Sequence, residues 1–319
     1  MVNKYSDNAV ALLCRYPDNI WLNFLNNFNK YDIYIIIDEN KNDYDELYKH
    51  LNHKLNIIQI DDNYCIQNGF YNFVHPTPNL PNKPLSWDKA LLYFTRINRL
   101  YNHIWFIEDD VFILREDVLL NIDNKYINSD LLTPFHHVNY DGNLTSWNLW
   151  YTIKDKISLP WARSMTCACR ASNKLLKLMD NYRLQNNKLF FHEAMFNTIA
   201  LQNNLLVETP EELSTIHYRT EWDINNLNLN YLYHPIKNYI DQLTLKMNNN
   251  IYYDNLFNNI NYNNIQHYKF NELLFLSKHL PEGFNISIYK KYDDLKFFSD
   301  EELIYHFFKY GQYESRIYK

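Results

Sequence analysis

Three consecutive acids, Glu108-Asp109-Asp110, lie inside the apolar run HIWFIEDDVFIL, from His103 to Leu114. If the run is a strand, alternate residues share a face, so Glu108 and Asp110 point one way and Asp109 the other. The flanking IWFI and VFIL segments are expected to be buried. Carboxylates in such a setting are costly unless something cationic compensates them. A divalent cation does so well: Mg²⁺ and Mn²⁺ favour carboxylate oxygens and leave part of their shell to phosphates and water. The plain alternative is a strand-end turn with solvated acids.

Lys89 is the second group of chemical interest. The segment SWDKALLYF reads as a helix capped by Ser86, with Trp87, Ala90, Leu91 and Phe94 as its apolar stripe. Lys89 then falls in the first turn, where the helix dipole disfavours a cation. An anion at the helix start would justify it. A solvated lysine offset by Asp88 is the alternative.

Several classes of chemistry are excluded by composition. The four glycines, Gly69, Gly142, Gly283 and Gly311, are too far apart for any glycine-rich phosphate loop. A bound nucleotide must therefore be held by a metal and by charged side chains. The net charge of -6 argues against a nucleic-acid partner. Cys14, Cys65, Cys167 and Cys169 form no C-x-x-C pair and read as buried, reduced thiols. No signal-peptide pattern opens the sequence, and no apolar run approaches the ~20 residues of a membrane span. The expectation is a cytoplasmic protein.

The elements that must position these residues alternate between strand and helix. Strands are expected at 9–14, 32–37 and 55–60, with helices at 19–28 and 44–51 between them, an order that argues for a largely parallel sheet flanked by helices. A Pro-rich connection, 75–84, precedes the helix at Ser86. The acid-bearing run 103–114 is the next strand. Further strands are expected at 130–134, 165–170 and 215–218, and helices at 173–181 and 191–202. The character changes near residue 245. Residues 247–264 read as an Asn- and Tyr-rich linker. In the tail, Ser299 and Glu302 form a capping box ahead of the apolar face Leu303, Ile304, Phe307 and Phe308. Two domains follow, residues 1–245 and a helical module at 246–319.

The β-α-β-α-β start, the missing glycine loop and the D-x-D-like E-D-D triplet within WFIEDDVFI resemble a nucleotide-sugar glycosyltransferase of the GT-A fold, over residues 8 to 240. The resemblance implies an α/β, Rossmann-like sheet and a metal-dependent transfer of sugar from a nucleoside-diphosphate sugar, a UDP-sugar in the first place, to a glycan or protein acceptor. It implies Asp110 as ligand to Mn²⁺ or Mg²⁺, with Glu108 and Asp109 on the ribose or on metal-bound water. It offers His217, in STIHYRTEW, as a later histidine ligand; an ordinary strand-end histidine is the alternative. Arg15 and Asp38, just past the first two strands, fall where GT-A proteins hold the nucleoside, and Lys89 would face the diphosphate. Glu193, in FFHEAMFNT, falls where inverting members carry the base that takes the acceptor's proton; the alternatives are an acid that merely suits a helix N-terminus, or His192 as the base instead. One of Trp147, Trp150 and Trp161 would touch the acceptor.

The tail, FNISIYKKYDDLKFFSDEELIYHFFKYGQYESRIYK, resembles a short C-terminal module attached to glycosyltransferase-like proteins of large DNA viruses. Abundant Asn, Ile, Lys and Tyr suggest an AT-rich genome, in keeping with such a setting, and the compartment would then be the host cytoplasm or a viral factory. Two rival readings share these residues: an inactive sugar-nucleotide-binding protein on the same fold, and a metal-dependent phosphohydrolase.

Overall fold

A computed structural model of the chain describes residues 6–17, 19–44, 55–74, 82–223, 226–237, 280–307 and 316–318. The runs NAVALLC and DIYIII form β1 (Asn8–Cys14) and β2 (Asp32–Ile37), almost wholly buried. Their continuous apolar character, without alternation, is that of strands covered on both faces. They are followed by β3 (Leu55–Gln59) and β4 (His103–Glu108), with α1 (Asn19–Asn26), α2 (Asp62–Gln67) and α3 (Ser86–Leu92) between them. After β4 come α4 (Glu116–Lys125), β5 (Leu131–Leu132), β6 (His137–Asn139), β7 (Trp161–Arg163), β8 (Ala168–Ser172), α5 (Asn173–Asn186), α6 (His192–Gln202) and β9 (Val207–Glu208).

Seven strands form one sheet in the order β3-β2-β1-β4-β8-β5-β9, and β6 pairs with β7 separately. The first four strands are mutually parallel, β8 runs antiparallel to β4 and β5, and β9 is parallel to β5. The protein is thus α/β, with a mostly parallel sheet flanked by helices, as the alternation of elements implies. From β1 the chain steps outward through β2 and β3, then returns to lay β4 on the other side of β1. That reversal opens a crevice at the carboxyl ends of the strands, where ligands of such sheets are held. Register brings the relevant ends level: Cys14 lies beside Ile37, and Leu13 beside Glu108.

The expected strand 103–114 ends early. Regular pairing stops at Glu108, and beyond the turn at Asp109-Asp110 the residues Val111 to Leu114 are buried without a ladder, apart from one bridge from Phe112 to Tyr233. The expected strand at 215–218 is likewise a single bridge, Ile216 to His234. Ser86 is not the cap of α3. The Asp88 carboxylate reaches back to the Leu85 and Phe73 amides at 2.9 and 3.0 Å, and Leu85 is the cap residue. Helix α2 and the β6–β7 pair were not foreseen. The expected helix at 44–51, the Pro-rich 75–84 and the linker 247–264 lie largely or wholly outside the described residues.

The chain divides into two compact units, residues 1–251 and 252–319. In the second, α7 (Ile286–Tyr289) and α8 (Asp300–His306) enclose a small core of Tyr289, Leu295, Leu303 and Phe307. Helix α8 carries the Ser299–Glu302 capping box. Polar residues of the tail also bond one another: Tyr289 OH meets His306 Nδ1 at 2.8 Å, and Arg316 grips Asp294 through two bonds of 2.7 and 2.8 Å.

Candidate metal and catalytic site

The end of β4 is fixed from three sides. The Glu108 amide donates to Cys167 O at 2.9 Å and the Asp109 amide to Leu13 O at 3.2 Å. Trp21 Nε1 of α1 donates to Asp109 O at 2.8 Å. Asp109 is exposed, whereas Glu108 and Asp110 are partly buried and face a common cluster. Trp87 Nε1 of α3 donates to Glu108 Oε1 at 2.7 Å. Burial, followed by the charge of Asp110, raises the Glu108 pKa above the ordinary carboxylate range.

The histidine brought to Asp110 is His234, whose Nε2 lies 3.2 Å from Asp110 Oδ1. Its segment is anchored by Phe112–Tyr233 pairing on one side, by Ile236 N donating to Asp110 O at 2.7 Å, and by His234 N donating to Thr215 O at 3.3 Å. Nδ1 of His234 donates to the His217 carbonyl at 2.6 Å, which fixes the ring and aims Nε2 into the cluster. Burial opposes protonation of His234, but the bond and charge of Asp110 outweigh it and raise its pKa. His217 itself is exposed, its Nε2 2.8 Å from Ser214 O. Side chains alternate along extended backbone, and Ile216 takes the inward position opposite His234, so His217 turns outward.

The β4–β8 register sets Ile107 opposite Ala168 and thereby delivers Cys167 to the same edge. One ligand atom each from Glu108, Cys167 and His234 lie within 4.8 Å of one another. Burial, then the charges of Glu108 and Asp110, push the Cys167 thiol well above its usual pKa. Asp110 Oδ1 is buried, with His234 Nε2 set against it. These observations fit a cation: two carboxylates share one pocket, and an imidazole is oriented by a carbonyl in the way metal-bound histidines are.

Glu193, in the first turn of α6, lies within electrostatic reach of the cluster. Burial pushes its pKa up to about 7, with Arg163 opposing, Glu108 adding and His234 opposing. The Arg163 guanidinium lies 5.1 Å from the Phe135 ring and 4.9 Å from the Trp147 ring. His192 is buried against Phe73, Trp87 and Phe191, with Nδ1 2.6 Å from Thr166 Oγ1. Trp147 stacks on Phe191 at 5.9 Å, while Trp150 and Trp161 belong to the core.

Arg15 and Asp38 stand at the carboxyl ends of β1 and β2, on the same edge of the sheet as Glu108. Burial raises the Asp38 pKa, with Lys89 opposing. Lys89 is fully buried. Its Nζ donates to Asp38 O at 2.5 Å and pairs with Asp62 at 2.9 Å, so its charge is met by protein groups and supports the Asp38 turn.

Sequence reasoning missed His234 and the place of Cys167. The one local signal for His234 is the short apolar run YLYHPI ending at a histidine. Nothing local marks Cys167, whose neighbours are set by antiparallel register.

No family model matches the sequence, nor does any curated protein. Among solved structures, the chain is similar to the mannosyltransferase Ktr4p of S. cerevisiae (10% identity, TM-score 0.34), covering 62% of this chain and 66% of that one. It is similar to glucosyl-3-phosphoglycerate synthase of Mycobacterium tuberculosis, a structure holding Mn²⁺ and UDP (10% identity, TM-score 0.32, covering 56% and 60%). A third is 4-diphosphocytidyl-2C-methyl-D-erythritol synthase of Anaerococcus prevotii (11% identity, TM-score 0.39, covering 77% and 99%). The chain spans less than two thirds of the length of the first two. Likenesses this remote assign neither a substrate nor a residue.

Proposed function

We propose that this protein is a metal-dependent glycosyltransferase that moves a sugar from a nucleoside-diphosphate sugar, a UDP-sugar in the first place, to an acceptor hydroxyl on a glycan or protein. The observation that carries the reading is the meeting of Glu108, Asp110 and His234 at the carboxyl edge of the parallel sheet, with Glu193 raised to about 7 beside them. Asp110, His234 and Glu108 would hold Mn²⁺ or Mg²⁺. A bound dication supplies neutralisation of the charge that develops on the departing diphosphate.

The chain's own groups account for the rest. Arg15 and Asp38 sit at the ends of adjacent strands, where a guanidinium and a carboxylate suit phosphate and ribose or base. Glu193 has a pKa near neutrality, the range in which a carboxylate both accepts and releases a proton readily. It takes the acceptor's hydroxyl proton as that oxygen bonds to the anomeric carbon and the bond from that carbon to the diphosphate oxygen breaks. Glu193 suits this role better than His192, whose ring is packed among aromatics and held by Thr166. Trp147, packed on Phe191 at the residue before α6 and its Glu193 turn, is the tryptophan suited to a sugar ring.

The test is a screen of nucleotide-sugar hydrolysis and transfer with Mn²⁺, joined to thermal melts with Mn²⁺ and nucleoside diphosphates. At about 100 times the dissociation constant a ligand stabilises by ~2.7 kcal/mol. Melts that no diphosphate moves in the presence of metal would sink the proposal.

A further inference from the structure

The cluster at the end of β4 contains a donor that a magnesium or manganese site does not call for. Of the four cysteines, Cys167 alone belongs to a group of metal-capable side chains among the described residues. Its partners there are a carboxylate and an imidazole, and all three atoms lie within 4.8 Å of one another. In a tetrahedral site with a metal–sulfur bond of ~2.3 Å and metal–nitrogen or –oxygen bonds of ~2.0 Å, neighbouring ligand atoms sit ~3.5 Å apart. The three atoms need close by only about 1 Å.

The frame around them is already built. Glu108 and Cys167 are tied by the 2.9 Å bond from the Glu108 amide to the Cys167 carbonyl. His234 is locked through Nδ1 to His217 O. The buried Asp110 Oδ1, 3.2 Å from His234 Nε2, stands ready as a fourth donor. Sulfur, nitrogen and oxygen from separate chain segments make the mixed set that Zn²⁺ takes, and Zn²⁺ outranks Mn²⁺ at any such site in the general affinity order of divalent ions.

We propose that Cys167, together with Glu108, His234 and Asp110, makes this a thiolate-containing cation site that binds Zn²⁺-class ions more tightly than Mn²⁺. The inference rests on reading the strand end as a metal site, and adds the thiol as a direct ligand. On binding, the S–H bond breaks, its proton passes to solvent and a sulfur–metal bond forms; no electron is transferred.

Co²⁺, a coloured substitute for Zn²⁺, tests this in the full-length chain. One equivalent should give a sulfur-to-cobalt charge-transfer band in the near ultraviolet together with visible bands of four-coordinate Co²⁺. Zn²⁺ should abolish both at concentrations about a hundredfold below those of Mn²⁺. Cys167→Ser should lose the charge-transfer band. Cadmium NMR of the wild-type chain, which needs no variant, should report one sulfur ligand. Co²⁺ bound with visible bands but no charge-transfer band, a cadmium resonance without sulfur, or a band that survives Cys167→Ser would overturn the thiol ligand and leave the metal reading standing. Failure of Co²⁺, Zn²⁺ and Mn²⁺ alike to bind would overturn both.

Discussion

Glu193→Gln separates a base held in wait from an acid that merely opens a helix. Burial moves the Glu193 pKa from 4.5 to about 7, and the carboxylate is therefore less stable in the folded protein than in the unfolded chain. The sign follows from proton counting. Below about pH 4.5 both states hold the proton and folding is unaffected. Between 4.5 and 7 the unfolded chain has lost its proton and the folded one has not, so stability falls as pH rises. Above 7 the loss is complete. The gap from 4.5 to about 7, at ~1.4 kcal/mol per pH unit, amounts to ~3 kcal/mol. Glutamine carries no such charge, so Glu193→Gln should match the wild type at pH 4.5 and exceed it by up to ~3 kcal/mol at pH 8, a figure in which the attraction to Arg163 is already counted. Melting of both proteins in EDTA across this range measures the difference directly. The same variant should lose ~10²–10⁴ in transfer rate. A stability difference that stays flat with pH would refute the buried carboxylate, and full activity in Glu193→Gln would refute the base.

Three further outcomes are expected. Asp110→Asn should weaken Mn²⁺ binding at least about tenfold, while stability in EDTA moves by less than ~1 kcal/mol, because relief of repulsion with Glu108 is offset by loss of the His234 partner; isothermal titration and melts read the two effects. His234→Ala should weaken Mn²⁺ binding by a similar factor whereas His217→Ala leaves it unchanged, since the His217 carbonyl, not its ring, holds His234. Leu303→Ala, at a fully buried site, should cost the 252–319 unit ~2–5 kcal/mol and open it to limited proteolysis, with Mn²⁺ affinity unaltered.

Local pattern made most of the first half legible. The apolar runs at 9–14 and 32–37 are strands because such continuous burial suits parallel strands covered on both faces, and the carboxyl ends of these strands place Arg15 and Asp38 without further information. The cap of α3 was misread for a related reason. Ser86 is a good cap residue by type, yet the fully buried Asp88 carboxylate takes the Leu85 and Phe73 amides together, a choice fixed by Phe73 packing from a distant loop. Lys89 follows from the same packing. Its ammonium crosses to Asp38 O and Asp62, groups that no helix-dipole argument brings into view.

The site shows where the limit of local reading lies. Glu108 and Asp110 were visible because both the anomaly, acids in an apolar run, and its context fall within a dozen residues. His234 becomes special only through three non-local facts: Phe112 pairs with Tyr233, Ile216 pairs with His234, and the His217 carbonyl takes Nδ1. Cys167 depends in turn on β8 lying antiparallel to β4, which no periodicity encodes. A sequence reports which residues are costly to bury, whereas the fold decides which groups offset that cost. Here Glu108, Asp110 and Glu193 are all acids within one field, with His234 set against Asp110 and the Arg163 charge acting on Glu193. On the proposed reading, a divalent ion at this strand end would offset carboxylate charge that His234 and Arg163 do not meet.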